Sequence, residues 1–179
     1  MSEGHAGSTV GDASALVARA RQGDMAAFDD LYVRYRDQVY TLCLNLCGER
    51  EQAEDLLQET FVRAWRGLSG FRGRSQFSTW LHRISVNVCR DAARRRRSLQ
   101  PEVRAGAERD DEIVDRVRSA LGRLRTPHRV VLVLRYTLSL SYQEIAETLN
   151  WSLPKVKVTL HRAKAAFRDV YCQQDGVEP

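Results

Sequence analysis

The chain has 179 residues, 28% of them charged and 43% hydrophobic, with a net charge of +5 at pH 7. This length and balance describe one large or two small soluble domains. No apolar run approaches the ~20 residues that a membrane-crossing helix needs. The N-terminal MSEGHAGSTVGDAS has neither the basic start nor the apolar core of a secretory signal, so no direct membrane insertion and a cytoplasmic location are expected. The charge is sorted along the chain. Glu49–Glu59 holds five acids and one Arg, Phe71–Arg97 holds eight Arg and one Asp, and Lys155–Arg168 is basic. Sorted charge suggests several partners of different sign. Cys43, Cys47, Cys89 and Cys172 match no zinc spacing, and reduced, buried thiols are expected. A redox or metal role for the Cys43/Cys47 pair, one helical turn apart, stays open.

Residues 1–11 are small and polar without periodicity and read as a disordered tail. From Asp12 a short helix places Leu16, Val17 and Ala20 on one face and stops at Gly23. The next helix, from about Asp24 to Cys47, carries Phe28, Leu31, Tyr35, Val39, Leu42 and Leu46 as one stripe, with Gly48 as its stop. A third helix spans about Arg50–Arg66. Its apolar face is Ala53, Leu56, Leu57, Phe61, Ala64 and Trp65, while Glu51, Glu54, Asp55, Gln58 and Glu59 fall largely elsewhere. For a generic helix, the acids make a solvated face.

Residues 67–75, GLSGFRGRS, have three glycines in nine positions and form a loop. Phe71 inside it either pins the loop to the core or is presented to a ligand. The fourth helix starts near Gln76 or Ser78 and buries Phe77, Trp80, Leu81, Ile84 and Val88, while Arg83, Asn87, Arg90 and Arg94 line another face. Aromatic rings interleaved with arginines suit an unstacked nucleic-acid strand, with ring faces for bases and charge for phosphates. A core helix with a solvated basic face is the alternative. Arg94–Arg97 project in all directions and do not all belong to a core. Ser98–Asp111, with Pro101, Gly106 and no apolar period, reads as a flexible linker between two domains.

The second domain opens with Glu112–Leu124, whose stripe is Ile113, Val117, Leu121 and Leu124. Thr126-Pro127 reads as a helix start, with Thr as the cap and Pro at the first position. The β-branched run that follows, VVLVLRYT, is compatible with a strand, but the cap and the helical neighbours favour a buried helix. Ser141 and Glu144 fit a capping box that opens a short helix with Ile145, Ala146 and Leu149 inside. Asn150-Trp151 makes a turn, and Ser152 and Pro154 start another helix with Leu153, Val156, Leu160, Ala163 and Phe167 on its buried face. No acid appears between Trp151 and Arg168. A short helix, a tight turn and a second helix with an acid-free outer face make a helix-turn-helix, whose second helix fits the major groove. His161 has no second ligand at metal-binding spacing and suits a phosphate or base contact better.

Four blocks together resemble one family: GDMAAFDDLYVRYRDQVY, AEDLLQETFVRAW, FRGRSQFSTWLHRISVNVCRD and SYQEIAETLNWSLPKVKVTLHRAKAAF. In this order they closely resemble the extracytoplasmic-function sigma factors of bacterial RNA polymerase, over about residues 12–170. The resemblance implies an all-α fold of two small helical domains. Residues 12–97 would be the sigma region two bundle, 98–111 a flexible linker, 112–172 the region four helix-turn-helix and 173–179 a tail. It implies a factor that binds core polymerase, directs it to a subset of promoters and helps to open the DNA. It further implies that Asp55, Gln58 and Glu59 dock on the polymerase clamp, which replaces the solvated-face reading of that helix. The loop at Phe71, Arg72 and Arg74 and the helix carrying Trp80, Arg83, Asn87 and Arg90 would read and trap the minus-ten element. Lys155, Lys157, Val158, His161 and Arg162 would face the minus-thirty-five element. An anti-sigma protein, often membrane-bound in the family, is an implied partner. Two departures bear on promoter sequence: Val158 stands where a polar residue is common, and Arg74 where an acid is common. No nucleophile–base pair, phosphate-binding glycine loop or metal cluster is present, so no enzyme activity, cofactor or metal is expected. The alternative is a helix-turn-helix regulator that acts on duplex DNA without polymerase.

Overall fold

The computed structural model describes residues 8–99 and 112–175. Those residues form eight α-helices and no strand. Helix α1 (Ser8–Ala20) begins a turn earlier than expected, so Ser8–Gly11 are helical, and residues 1–7 lie outside the described residues. Helix α2 (Met25–Cys47) starts on Asp24, whose Oδ1 accepts from the Ala27 N–H at 3.1 Å. It stops at Gly48, where φ is +85° and the backbone N–H donates to the Leu44 carbonyl. A left-handed residue at that position is cheapest as glycine, because it has no Cβ.

Helix α3 (Arg50–Gly67) runs into a short 3-10 turn at Leu68–Gly70. Helix α4 (Phe77–Leu99) continues two residues past the expected boundary, and the rest of the linker, 100–111, lies outside the described residues. The stripe expected on α2 is buried at Phe28, Leu31, Val39, Leu42 and Leu46, with Tyr35 half-buried at its edge. It packs against Ala53, Leu56, Phe61 and Ala64 of α3 and Leu81 and Val88 of α4. The Phe28, Tyr32, Phe61 and Trp65 rings meet at tilted or edge-on angles, with centroids 4.7–6.2 Å apart. Two buried hydroxyls of this unit are satisfied locally: Thr60 donates to the Leu56 carbonyl at 2.7 Å and Ser85 to the Leu81 carbonyl at 2.9 Å.

The second unit comprises α5 (Glu112–Arg123), α6 (Thr126–Leu132), α7 (Tyr142–Leu149) and α8 (Leu153–Asp175). Ile113, expected in the buried stripe of α5, is 63% exposed, and the packed part of that helix begins at Val117 and continues through Ala120 and Leu121. The cap of α6 is Arg125, not Thr126, and it makes no side-chain cap bond. Proline one position later still suits the first turn, where no N–H partner is required. The run Val130–Leu134 is buried as helix, as its surroundings favoured, and Val133–Thr137 widens into a π turn. Ser139, at φ +55°, then reverses the chain into α7.

The two units touch. Helix α7 rests on α4, and α2 meets α5 and the π turn. The Arg129 Nη1 donates to the Leu46 carbonyl at 2.8 Å, and the Arg83 Nη2 donates to the Glu147 carbonyl.

Candidate nucleic-acid interface

The loop before α4 is held from inside. Phe71 is only 8% exposed. Its ring meets Phe77 edge-on at 6.0 Å and Trp80 at 5.1 Å, and Phe77 in turn meets Trp80 at 5.6 Å and Tyr35 at 5.4 Å. The Phe71 N–H donates to the Leu68 carbonyl at 3.0 Å. Of the two readings open in the sequence, pinning is the one seen: Phe71 is an anchor of the loop and not a ring presented to solvent. Anchoring leaves Arg72, Gly73 and Arg74 exposed on the far side, where Gly73 takes φ +67°.

The expected minus-ten set is therefore divided by burial. Arg72, Arg74 and Asn87 are exposed, Trp80 and Arg90 are half-buried, and Arg83 is half-buried with its guanidinium committed to α7. The expected open arginine face of α4 is thus partly covered by the second unit. Beside it lies an open cleft of about 900 Å³. Arg34, Tyr35, Phe71 and Arg74 line it from the first unit, and Leu138 and Leu140 from the second.

His82 was not singled out in the sequence, and it sits where α4 and α7 meet. It is 2% exposed, and neither ring nitrogen has a hydrogen-bond partner. Burial pushes its pKa down from 6.5 to about 4, opposed only weakly by the Glu144 carboxylate. Glu144 is already engaged, because its Oε2 accepts from the Ser141 N–H at 2.7 Å.

The arginine run ending α4 is also less free than it reads. Arg95 lies 3.4 Å from the Glu59 carboxylate and Arg96 3.7 Å from that of Glu49. Glu59 pairs with Arg63 at 2.6 Å, and Arg63 bridges on to Asp91 at 3.0 Å. The acids of α3 thus partly neutralise the basic end of α4. Within the expected polymerase-docking set, Asp55 and Gln58 are exposed, while Glu59 is half-buried in this network.

The helix-turn-helix is built as its caps require. The Ser141 Oγ accepts from the Glu144 N–H at 3.2 Å, which completes the capping box of α7. Asn150 takes the left-handed conformation at φ +54°, and the Trp151 N–H donates to the Ala146 carbonyl at 2.9 Å. Val156, Leu160 and Ala163 bury one face of α8. Lys155, Lys157, Val158, His161 and Arg162 are all exposed. The five expected minus-thirty-five residues therefore share one open, acid-free face. Lys155, on that face, lies over the Trp151 ring at 4.3 Å, and the neighbouring Lys164 lies over Tyr136 at 5.6 Å.

The four cysteines are free. The Cys89 thiol of α4 lies 3.7 Å from the Cys43 sulfur, while the Cys47 thiol donates to the Glu49 carbonyl. Among the described residues no cluster of three or more His, Cys, Asp or Glu is placed to hold a metal, and no helix is long and apolar enough to cross a membrane.

Comparison with known proteins places two families on this frame. Residues 31–99 match Sigma-70 region 2 and residues 115–167 match Sigma-70 region 4. The chain is 33% identical over 174 residues to the ECF RNA polymerase sigma factor SigW of Bacillus subtilis, covering 85% of this chain and 92% of the relative. It is 36% identical over 156 residues to the RNA polymerase sigma factor YlaC of the same organism, covering 79% and 90%. Among solved structures it is similar to CnrH in complex with the cytosolic domain of CnrY, at 30% identity and a TM-score of 0.73, covering 89% of this chain and 96% of that one. The fold is shared with RpoE, solved with the anti-sigma factor NepR from Bartonella quintana, at 21% identity and a TM-score of 0.71, covering 80% and 95%.

Proposed function

Because the chain belongs to the extracytoplasmic-function (ECF) sigma factors of bacterial RNA polymerase, we propose a division of labour between its two domains. The protein binds core RNA polymerase and confers promoter specificity. Residues 12–97 act as region two and 112–172 as region four, joined by the linker 98–111. Region four places α8 in the duplex minus-thirty-five element through Lys155, Lys157, Val158, His161 and Arg162. An exposed apolar Val158 fits a thymine methyl, while the neighbouring cations fit phosphates or base edges. Region two captures the minus-ten strand once it separates. Asn87, Arg72 and Arg74 supply the exposed contacts, Trp80, Arg83 and Arg90 join them as α7 lifts away, and Phe71 holds the loop in shape. Asp55 and Gln58 dock on the polymerase clamp, and Glu59 supports that face through its pairs with Arg63 and Arg95.

The observation that carries this reading is the open, acid-free face of α8 behind a complete capping box, on a unit separate from the Asn87 and Arg72 surface. A protein that binds only the open form shifts the closed–open equilibrium towards it. With stacking worth ~1–3 kcal/mol per base, one or two captured bases bias melting usefully. The chain itself is not an enzyme in this scheme, since the polymerase makes the phosphodiester bonds. We place it in the cytoplasm with the polymerase. An anti-sigma protein is the partner expected to hold it inactive, consistent with its similarity to CnrH, which was solved bound to a protein partner.

Asn87→Ala is the direct test of the strand-capture role, because Asn87 is exposed and its loss opens no cavity. Loss of one net hydrogen bond of up to about 1.5 kcal/mol lowers open-complex formation roughly three- to tenfold. Permanganate reactivity of unpaired thymines on a bound promoter should fall accordingly, with minus-thirty-five binding unchanged. Equal reactivity in the variant and the wild type would overturn the assignment. Phe71→Ala is a poor substitute, since the ring is buried and its removal leaves a cavity.

A further inference from the structure

The turn of the helix-turn-helix carries a large aromatic, Trp151, immediately after the left-handed Asn150. Its backbone is tied to α7 by the bond to the Ala146 carbonyl at 2.9 Å. Its ring is half-buried and packs against the domain core, which leaves one face available at the start of α8. The Lys155 ammonium lies 4.3 Å from the centre of that ring. Lys155 itself is exposed, and among the described residues no carboxylate pairs with it. Pro154 precedes it and restrains the backbone of the first turn.

A lysine head on a four-carbon stem normally samples many rotamers and loses that freedom when it grips a phosphate. A ring that already holds the head removes part of that loss before binding. Trp is the strongest such partner among the side chains, and the ammonium keeps donors pointing away from the ring. We infer that Trp151 is a positioning residue for DNA binding: its ring holds the Lys155 ammonium where α8 meets a phosphate of the duplex element. This rests on the reading that α8 enters the minus-thirty-five duplex with Lys155 facing DNA.

The test uses the full chain assembled with core polymerase and a promoter duplex, with affinity measured over a range of salt concentrations. Lys155→Met should weaken binding and reduce the slope of log affinity against log salt by about 0.9, the value for one lost phosphate contact. Trp151→Leu should weaken binding about two- to fivefold. Trp151→Leu combined with Lys155→Met should be no weaker than Lys155→Met alone, and Trp151→Tyr should restore most of the affinity. In the wild-type protein the ε-methylene resonance of Lys155 should be shifted upfield by the ring current, a readout that holds even if Trp151→Leu fails to fold. If Lys155→Met changes neither affinity nor slope, Lys155 does not contact DNA and the reading beneath the inference fails. If Lys155→Met weakens binding but Trp151→Leu does not, or the two losses simply add, the positioning role fails while the reading of α8 stands. An unshifted Lys155 resonance would likewise remove the positioning role.

Discussion

As the pH falls from 6.5 towards 4, region four should loosen its hold on region two, and His82 should be the cause. The imidazole is enclosed between α4 and α7, with no partner for either nitrogen. Facing groups give it little help. Glu144 is committed to the Ser141 N–H, the Glu147 carbonyl takes the Arg83 guanidinium, and Arg34, Tyr35 and Arg74 line the neighbouring cleft. The closed arrangement therefore needs His82 neutral. Its pKa is about 4 here against 6.5 for a solvated histidine. The contribution of the neutral ring is fully present above pH 6.5. It is lost progressively as pH falls towards 4, because the opened state takes up the proton first. A difference of that size corresponds to roughly 3 kcal/mol at its limit. Dyes on exposed Ser69 and Arg168 should move apart as the pH drops. His82→Leu should hold the two units together across the same range. An identical pH response in His82→Leu would show that another group drives the opening.

The opening matters because of what the closed form hides. Arg83, one of the residues assigned to the separated strand, donates to the Glu147 carbonyl of region four. Leu138 and Leu140 line the cleft beside Phe71 and Arg74. On the proposed assignment, region four must leave α4 before the whole strand-capture surface is available, so the same dyes should lie further apart on polymerase than in the free chain. An unchanged separation would mean that the enzyme accepts the closed form.

Asp55→Lys should remove most of the affinity for core polymerase without harming the free protein. Asp55 is exposed on α3 and lies outside the Glu59–Arg63–Asp91 network. A substitution on such a surface changes folding stability by about 0.5 kcal/mol or less. A charge that docks and becomes desolvated loses ~2–5 kcal/mol when its partner is left unpaired, and reversal adds repulsion. A drop of at least about thirtyfold in core binding is therefore expected, read by fluorescence anisotropy of a labelled chain, with an unchanged melting temperature. Wild-type affinity would move the docking face elsewhere. Glu59→Lys is the weaker experiment, because it also frees Arg63 and Arg95.

Local chemistry made much of this fold legible. The three-and-four spacing on α2, the Ser141/Glu144 capping box and the acid-free face of α8 each depend on residues within a turn or two of one another. What the sequence did not disclose depends on long-range meetings. His82 has no distinguishing neighbour in the chain, and only the arrival of α7 makes it a buried, unpartnered group. The Glu59 and Arg95 pairing joins two residues 36 positions apart, one on α3 and one on α4. Phe71 in a glycine loop reads equally as anchor or as ligand contact until the Phe77 and Trp80 rings are seen beside it. Ile113 kept the spacing of a buried stripe, yet the packing that would cover it does not extend to that turn.

The central claim, that this chain directs polymerase to promoters, is met most directly by run-off transcription with core RNA polymerase on a promoter library. Adding the protein should yield transcripts from a defined subset that shares minus-thirty-five and minus-ten elements, and core enzyme alone should not. Duplex binding without core association and without any selected transcript would contradict that claim and leave a polymerase-independent helix-turn-helix regulator.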